Sequence, residues 1–194
     1  MNDMNDARGT LGTQKATFAM GCFWGVEETF VKVPGVISTQ VGYTGGKIPD
    51  PGYHRVCDGD TGHAEAVEVT YDPAKVSYGQ LLKVFFAVAH DPTELNRQGP
   101  DTGTQYRSVV FFSNAEQEHI AQAYINQLNR AQVFRRQIVT QLVVLDSFYE
   151  AESYHQDYAT HHPDEPYIYI NDLPKVANLR KELNGLYVAR VVAR

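Results

Sequence analysis

Thr17-Phe18-Ala19-Met20-Gly21-Cys22-Phe23-Trp24-Gly25 changes its period midway, and the change decides how the rest of the chain is read. The first four residues are an uninterrupted apolar run, the mark of a buried strand. From Cys22 onward Phe23, Val26 and Phe30 recur at helical spacing until Pro34-Gly35 stops them. Cys22 therefore stands at a strand-to-helix junction. Such a junction offers unpaired backbone N–H groups and the positive end of a helix dipole, both of which favour a thiolate over a thiol. Gly21 and Gly25 let the chain turn tightly and let a ligand approach the backbone. Phe23 and Trp24, adjacent on a helix, cannot both face the core, so one of them walls the sulfur. The competing reading is a buried structural cysteine. The helix start with aromatic and glycine neighbours favours the nucleophile.

Outward from this point the order of elements follows. Lys15–Met20 reads as a first strand and Cys22–Val33 as a helix. Val36–Tyr43 is a second strand, stopped by Thr44-Gly45-Gly46, and Lys47–Gly62 is a long irregular loop. His63–Tyr71 is a third strand, closed by Asp72-Pro73. Ser77 and Gln80 form a capping box ahead of a helix with Leu81, Val84, Phe85 and Val88 on its apolar side. A polar loop over Asp91–Thr104 leads to a fourth strand, Gln105–Ser113. This β-α-β-β-α-β order predicts an α+β fold with a ferredoxin-like core: a mixed, mainly antiparallel sheet with both helices on one face. Beyond the core, Asn114 and Gln117 open a helix reaching Arg130. Ile138–Asp146 is an extra strand at the sheet edge, and Glu150–His161 a short helix. Asp172 caps a last helix with Pro174 in its first turn and Val176, Leu179, Leu183 and Leu186 buried. Residues 1–14 are expected to form a flexible tail and residues 15–194 a single catalytic domain.

The chain has 194 residues, 43% of them hydrophobic, which is enough for one ample core. A net charge of -6 argues against nucleic-acid binding, which needs clustered Lys and Arg. No apolar run reaches membrane-spanning length, and the polar start lacks a signal-peptide core. Two cysteines in this length suggest a reducing compartment, most simply the cytoplasm, rather than a disulfide framework. A monomer is expected.

Glu65 is the most informative acid. Period two in the third strand puts it on the face of Val67, Val69 and Tyr71, where desolvation would raise its pKa and keep it protonated near neutrality. Tyr53 in the first loop and Tyr106 at the start of the fourth strand could each donate a hydroxyl where charge builds on an oxygen; taken singly, each reads first as a half-buried packing residue. Asp101 is either functional or a turn former. His63, His155, His161 and His162 invite a metal reading with Cys22 or Cys57, but the chain has no CxxC and no HExxH, so no metal is expected. Cys57 is either a resolving thiol or an ordinary loop cysteine.

The motifs Gly21-Cys22-Phe23-Trp24-Gly25, Val41-Gly42-Tyr43-Thr44-Gly45-Gly46, Gly62-His63-Ala64-Glu65-Ala66-Val67, His90-Asp91-Pro92 and Gly103-Thr104-Gln105-Tyr106-Arg107-Ser108 resemble those of the A-class peptide methionine sulfoxide reductases, over residues 15–188. The resemblance implies that Cys22 attacks the sulfoxide sulfur and becomes a sulfenic acid. It implies that Phe23 and Trp24 hold the substrate's ε-methyl, and that Glu65 protonates the sulfoxide oxygen with help from Tyr53 and Tyr106. Asp101 matches a loop acid near the substrate backbone. The implied substrate is the S epimer of methionine sulfoxide, free or in peptides and oxidised proteins. No bound cofactor is implied, only an external thiol reductant. Many members carry a resolving cysteine in a Gly-rich C-terminal segment, where this chain reads Tyr167-Ile168-Tyr169-Ile170-Asn171-Asp172-Leu173-Pro174. It therefore resembles the one-cysteine branch, reduced by thioredoxin or by glutathione with glutaredoxin, with Cys57 as the competing internal resolver. Two rival classes remain at this stage, a thiol peroxidase and a redox-inert peptide-binding module. The first would consume hydrogen peroxide and yield no methionine; the second would bind without turnover.

Overall fold

The computed structural model describes residues 12–189. The expected tail over 1–14 falls largely outside them, and Gln14 already belongs to the first strand, β1 (Gln14–Ala19). There follow α1 (Phe23–Val31), β2 (Val36–Thr44), the short α2 (Tyr53–Cys57), β3 (Ala64–Tyr71) and α3 (Tyr78–Val84), which runs on as a π-helical turn over Phe85–Ala89. A two-residue hairpin of β4 (Arg97–Gln98) and β5 (Asp101–Thr102) precedes β6 (Val109–Phe112) and α4 (Ala115–Arg130). The remainder comprises β7 (Gln141–Val144), β8 (Phe148–Glu150), α5 (Tyr158–His161) and α6 (Leu173–Glu182).

The main sheet has the order β7-β6-β1-β3-β2-β8. Its central four strands are the ferredoxin-like arrangement, every neighbour antiparallel. β8 joins antiparallel to β2, and β7 is the one parallel addition, beside β6. The expected fold class is therefore observed. Side-chain alternation separates two cores. Phe18, Val41, Val67, Val69 and Tyr71 face the helices together with Phe30, Leu81 and Phe85, whereas Ala19, Ala64, Ala66, Val109 and Phe111 form a smaller cluster of their own. At the centre Phe18 stacks on Phe30 at 5.2 Å and tilts on Phe85 at 5.1 Å. Burying each such ring contributes about 1.5–3 kcal/mol, so this seam of three phenylalanines is what holds α1 and α3 to the sheet. The capping box of Ser77 and Gln80 is formed in both directions and fixes the start of α3.

Five local expectations are corrected. The first loop is not wholly irregular, because α2 winds one turn of it. Gln105–Ser113 is not all strand: Thr104–Tyr106 is a 3-10 turn led by Gly103 at φ 146°, and pairing begins only at Val109. Glu150–His161 is not one helix. β8 ends in its first residue, a 3-10 turn over Ser153–His155 follows, and α5 takes the last four positions. Asp172 occupies the N-cap position of α6 but has α-helical backbone angles and caps nothing; its carboxylate turns inward to α1 instead. Of the apolar set expected on that helix, Leu179 alone is fully buried.

Candidate active site

The turn from β1 into α1 is held by Gly21, whose N–H donates to the Tyr106 carbonyl at 3.2 Å. Gly21 has φ 75°, and a Cβ there would meet Gln98 Cβ at 2.7 Å, so only glycine fits. Cys22 takes the N-cap position with extended angles, and its side chain is 8% exposed. The Trp24 N–H at the helix start and the Lys175 ammonium favour the thiolate, as the junction predicts. They are outweighed. Burial, then the carboxyls of Glu65 and Asp172, push the thiol well above its ordinary range, so the resting group is a thiol. This corrects the expected thiolate.

Glu65 lies on the helix-facing side of β3, as its period predicts, and is 2% exposed. It stands two residues before Val67, the partner of Phe18, and the antiparallel pairing brings it beside the start of α1. The Phe23 N–H donates to Glu65 Oε2 at 3.1 Å. Burial pushes its pKa up to about 8, with Asp101 and Asp172 adding to the shift against the lowering effect of that hydrogen bond. At neutral pH the carboxyl keeps its proton, next to the residue that follows Cys22.

Tyr53 opens α2, and its backbone N–H donates to Glu152 Oε1 at 2.9 Å; the Tyr43 hydroxyl donates to Glu152 Oε2 at 2.9 Å. One carboxylate from the late part of the chain thus fixes both β2 and α2. The Tyr53 hydroxyl reaches the Cys57 thiol one helical turn on, and it lies within the field of Glu65 and Cys22. Tyr106, in its 3-10 turn, shares that field with Glu65, Cys57, Asp101 and Cys22. Burial raises both phenols, so each remains a hydroxyl donor. Gln105 joins the two loops, donating its Nε2–H to the Cys57 carbonyl at 3.1 Å.

The aromatic pair divides as its adjacency requires: Phe23 is buried and Trp24 half-buried. Phe23 packs on Tyr43 and His155 at 5.8 and 5.2 Å. Trp24 stacks on Tyr158 at 4.0 Å, meets Tyr167 edge-on and donates its Nε1–H to His155 Nδ1 at 3.1 Å. The Tyr167 hydroxyl in turn donates to Asp101.

Cys22, Glu65, Tyr53, Tyr106, Phe23, Trp24 and Asp101 are thus gathered around one helix start, with Cys57 behind Tyr53. His63 is not among them. It is a loop latch, accepting the Gly46 N–H on Nδ1 and donating to the Ile48 carbonyl from Nε2, while His161 and His162 are exposed. Among the described residues no group of three or more His, Cys, Asp or Glu is placed to hold a metal ion, and no helix is long and apolar enough to cross a membrane. Sequence reasoning gives no site role to Glu152, Tyr158, Tyr167 or Asp172, and weighs His155 only against a metal reading that it rejects. The available signal was compositional, twelve tyrosines that needed a use.

The family model described as peptide methionine sulfoxide reductase matches residues 14–185. The protein called peptide methionine sulfoxide reductase MsrA 2 in Mesorhizobium japonicum is 54% identical over 187 residues, covering 96% of each chain. Its namesake in Synechocystis is 51% identical, covering 93% of this chain and 85% of the relative. Among solved structures, methionine sulfoxide reductase A of Corynebacterium diphtheriae matches with a TM-score of 0.67 and 40% identity, over 80% of this chain and 78% of that one. Reduced Mxr1 of Saccharomyces cerevisiae matches with a TM-score of 0.71 and 34% identity, over 78% and 86%. The same yeast protein has been solved in complex with Trx2 (TM-score 0.51, 22% identity, 76% and 85% covered).

Proposed function

Because the chain belongs to the peptide methionine sulfoxide reductase family, whose members reduce methionine sulfoxide with thiols, we propose that Cys22 is the nucleophile and Glu65 the acid of that reaction here. The observation that carries the assignment is the buried Glu65 carboxyl, protonated at neutral pH and bonded to the N–H of Phe23 beside the thiol. A sulfoxide oxygen leaves only once protonated, so the acid must hold a proton where the nucleophile attacks.

Cys22 Sγ attacks the sulfoxide sulfur while Glu65 delivers its proton to the oxygen, and Tyr53 and Tyr106 donate hydrogen bonds to that oxygen as charge builds on it. The substrate S–O bond breaks, the oxygen passes with its proton to Cys22, and the proton released by the thiol restores Glu65. The substrate sulfur gains two electrons and the cysteine sulfur loses two: thiol plus sulfoxide become sulfenic acid plus methionine. Phe23 and Trp24 form the apolar wall for the ε-methyl, and Asp101, oriented by Tyr167, faces the substrate backbone. The resemblance to the A-class reductases, not the wall and the donors alone, makes the S epimer the substrate to test.

Two equivalents of an external thiol then return the sulfenic acid to thiol, releasing water and a disulfide. Thioredoxin is the first reductant to test, since a yeast relative forms a complex with Trx2, and glutathione with glutaredoxin the second. We assign the activity to one monomeric catalytic domain over residues 15–194, acting in the cytoplasm on oxidised proteins, peptides and free methionine sulfoxide.

A single turnover without reductant tests the reading. Reduced protein is mixed with excess S-methionine sulfoxide, and methionine and remaining thiols are counted. One methionine with one thiol left is expected, from Cys22 oxidised and Cys57 untouched. No methionine would end the assignment; one methionine with no thiol left would make Cys57 an internal resolver.

A further inference from the structure

The segment that closes the pocket from the C-terminal side carries an acid that the reaction above does not use. Asp172 is 0% exposed. Its carboxylate lies against Gly25 of α1, where an added Cβ would fall 2.0 Å from Oδ1 and 2.4 Å from Cγ. Gly25 carries no unusual backbone angle, so its lack of a side chain serves to make room for this carboxylate. Gly25 is three residues after Cys22, which places the acid one turn along the same side of the helix start. Oδ1 accepts from Lys175 Nζ at 2.9 Å, and Oδ2 is buried with no partner. An orphaned buried carboxylate oxygen is destabilising, and the fold retains this one beside its reactive cysteine.

We propose that Asp172, seated in the Gly25 slot and tied to Lys175, is a positioning residue that restrains the reactivity of Cys22 toward general oxidants and alkylating agents. The proposal rests on the reading of Cys22 as nucleophile. A negative charge one turn from the sulfur opposes a second negative charge forming there, and the Lys175 ammonium offsets it only in part. The titratable groups facing Cys22 are Glu65 from β3, which is protonated at neutral pH, Asp172 from the start of α6 and Lys175 from α6. Those facing Asp172 are Lys175, Asp101, which is held by Tyr167, and Glu28, which is paired with Lys32 and Thr160. Of the two acids that face Cys22, Asp172 is the one that no catalytic step needs, so it can be changed without removing the proton donor. The benefit is selectivity. A thiol kept neutral at rest reacts slowly with hydrogen peroxide, which needs the thiolate, whereas a bound sulfoxide meets the proton of Glu65.

The test uses full-length protein carrying Cys57→Ser, so that Cys22 is the only thiol. Iodoacetamide alkylation is followed from pH 6 to 10, and hydrogen peroxide consumption at pH 7, with and without Asp172→Asn. The near-isosteric amide fits the slot and removes the charge. Alkylation at pH 7 is expected to quicken at least threefold, its midpoint to move to lower pH, and peroxide consumption to rise with it. Gly25→Ala provides a second route: its Cβ must push the carboxylate out of the slot, and it should move the alkylation midpoint the same way with Asp172 intact. A midpoint and rate unchanged in both variants would overturn the proposal, whatever the parent's methionine yield. A shifted midpoint in a parent that makes no methionine would instead sustain the restraint and end the reductase reading.

Discussion

If Glu65 is the acid proposed above, its proton sets the alkaline limit of the chemistry. Its pKa in the fold, about 8, lies far above the ordinary carboxylate range because burial penalises the charged form. The proton is present below that value and lost above it. Turnover of methionine sulfoxide is therefore expected to fall about tenfold per pH unit above roughly pH 8, and a rate still rising at pH 9 would remove the proton of Glu65 from the mechanism. Glu65→Gln should lower turnover by on the order of a hundredfold or more and abolish the limb, with Tm equal or higher because the amide needs no proton to be buried; a Tm drop of several degrees would mean that the carboxyl is structural. Trp24 offers a subtler test. Its Nε1–H is the donor to His155 Nδ1, and indole can only donate, so neutral His155 carries its proton on Nε2. Trp24→Phe keeps the stack on Tyr158 but strips His155 of that bond. A cost of about 1 kcal/mol in stability and a rise in KM larger than the fall in kcat are expected, measured by thermal melts and steady-state kinetics.

At the scale of elements, the strands and long helices were legible in the sequence and the later connections were not. β1, β3, α1 and α3 announce themselves because one face of each is buried, and period is the imprint of burial. Glu65 could be found by the same logic, as a carboxyl on an apolar face. The stretch from Phe148 to Asp172 has no face long enough to print a period. Its pieces are three to five residues long, and their conformations are set by partners more than a hundred residues away, such as Trp24 for His155 and Tyr43 for Glu152. Tyr106 was misplaced for a related reason: Gly103 turns the chain before a strand whose apolar residues start later. The late stretch is pinned by one amide. Gln156 accepts the Val41 N–H at 2.9 Å and donates to the Val41 and Ala151 carbonyls at 3.0 Å, continuing past β8 the pairing that β8 makes with β2. Gln156→Ala should cost about 1–3 kcal/mol and loosen residues 148–161 specifically. Hydrogen exchange would show faster exchange there and at Val41; uniform loss of protection would refute a local role.

For the whole molecule, stability against pH is shaped by buried groups rather than by the net charge. Glu27, 2% exposed, accepts the Asp157 N–H at 2.8 Å and is raised to about 8 by burial, with Asp157 adding to the shift. Both Glu27 and Glu65 bind protons more tightly folded than unfolded, so their contribution is full below the ordinary carboxylate pKa and declines as pH rises to about 8. His90 acts oppositely. Held between the Phe85 carbonyl and Ser108 Oγ and lowered to about 4 by burial, it costs stability as pH falls below the ordinary histidine range. Thermal melts should show Tm declining from pH 6.5 to 8.5, and Glu27→Gln should flatten that decline; an unchanged slope would mean that Glu27 is ionised in the fold. The pocket also has an order of manufacture. Cys22 lies near the start of the chain, whereas Tyr167 and Asp172, which lie beside it, come near residue 170. At about 5–20 residues per second on the ribosome, the cysteine exists for roughly seven to thirty seconds before its walls are made. During that interval it is an ordinary exposed thiol, so a repair enzyme of this design is most vulnerable to the oxidants it answers while it is being synthesised. Pulse-labelling of nascent chains should find Cys22 reactive until the last segment emerges, and shielded afterwards.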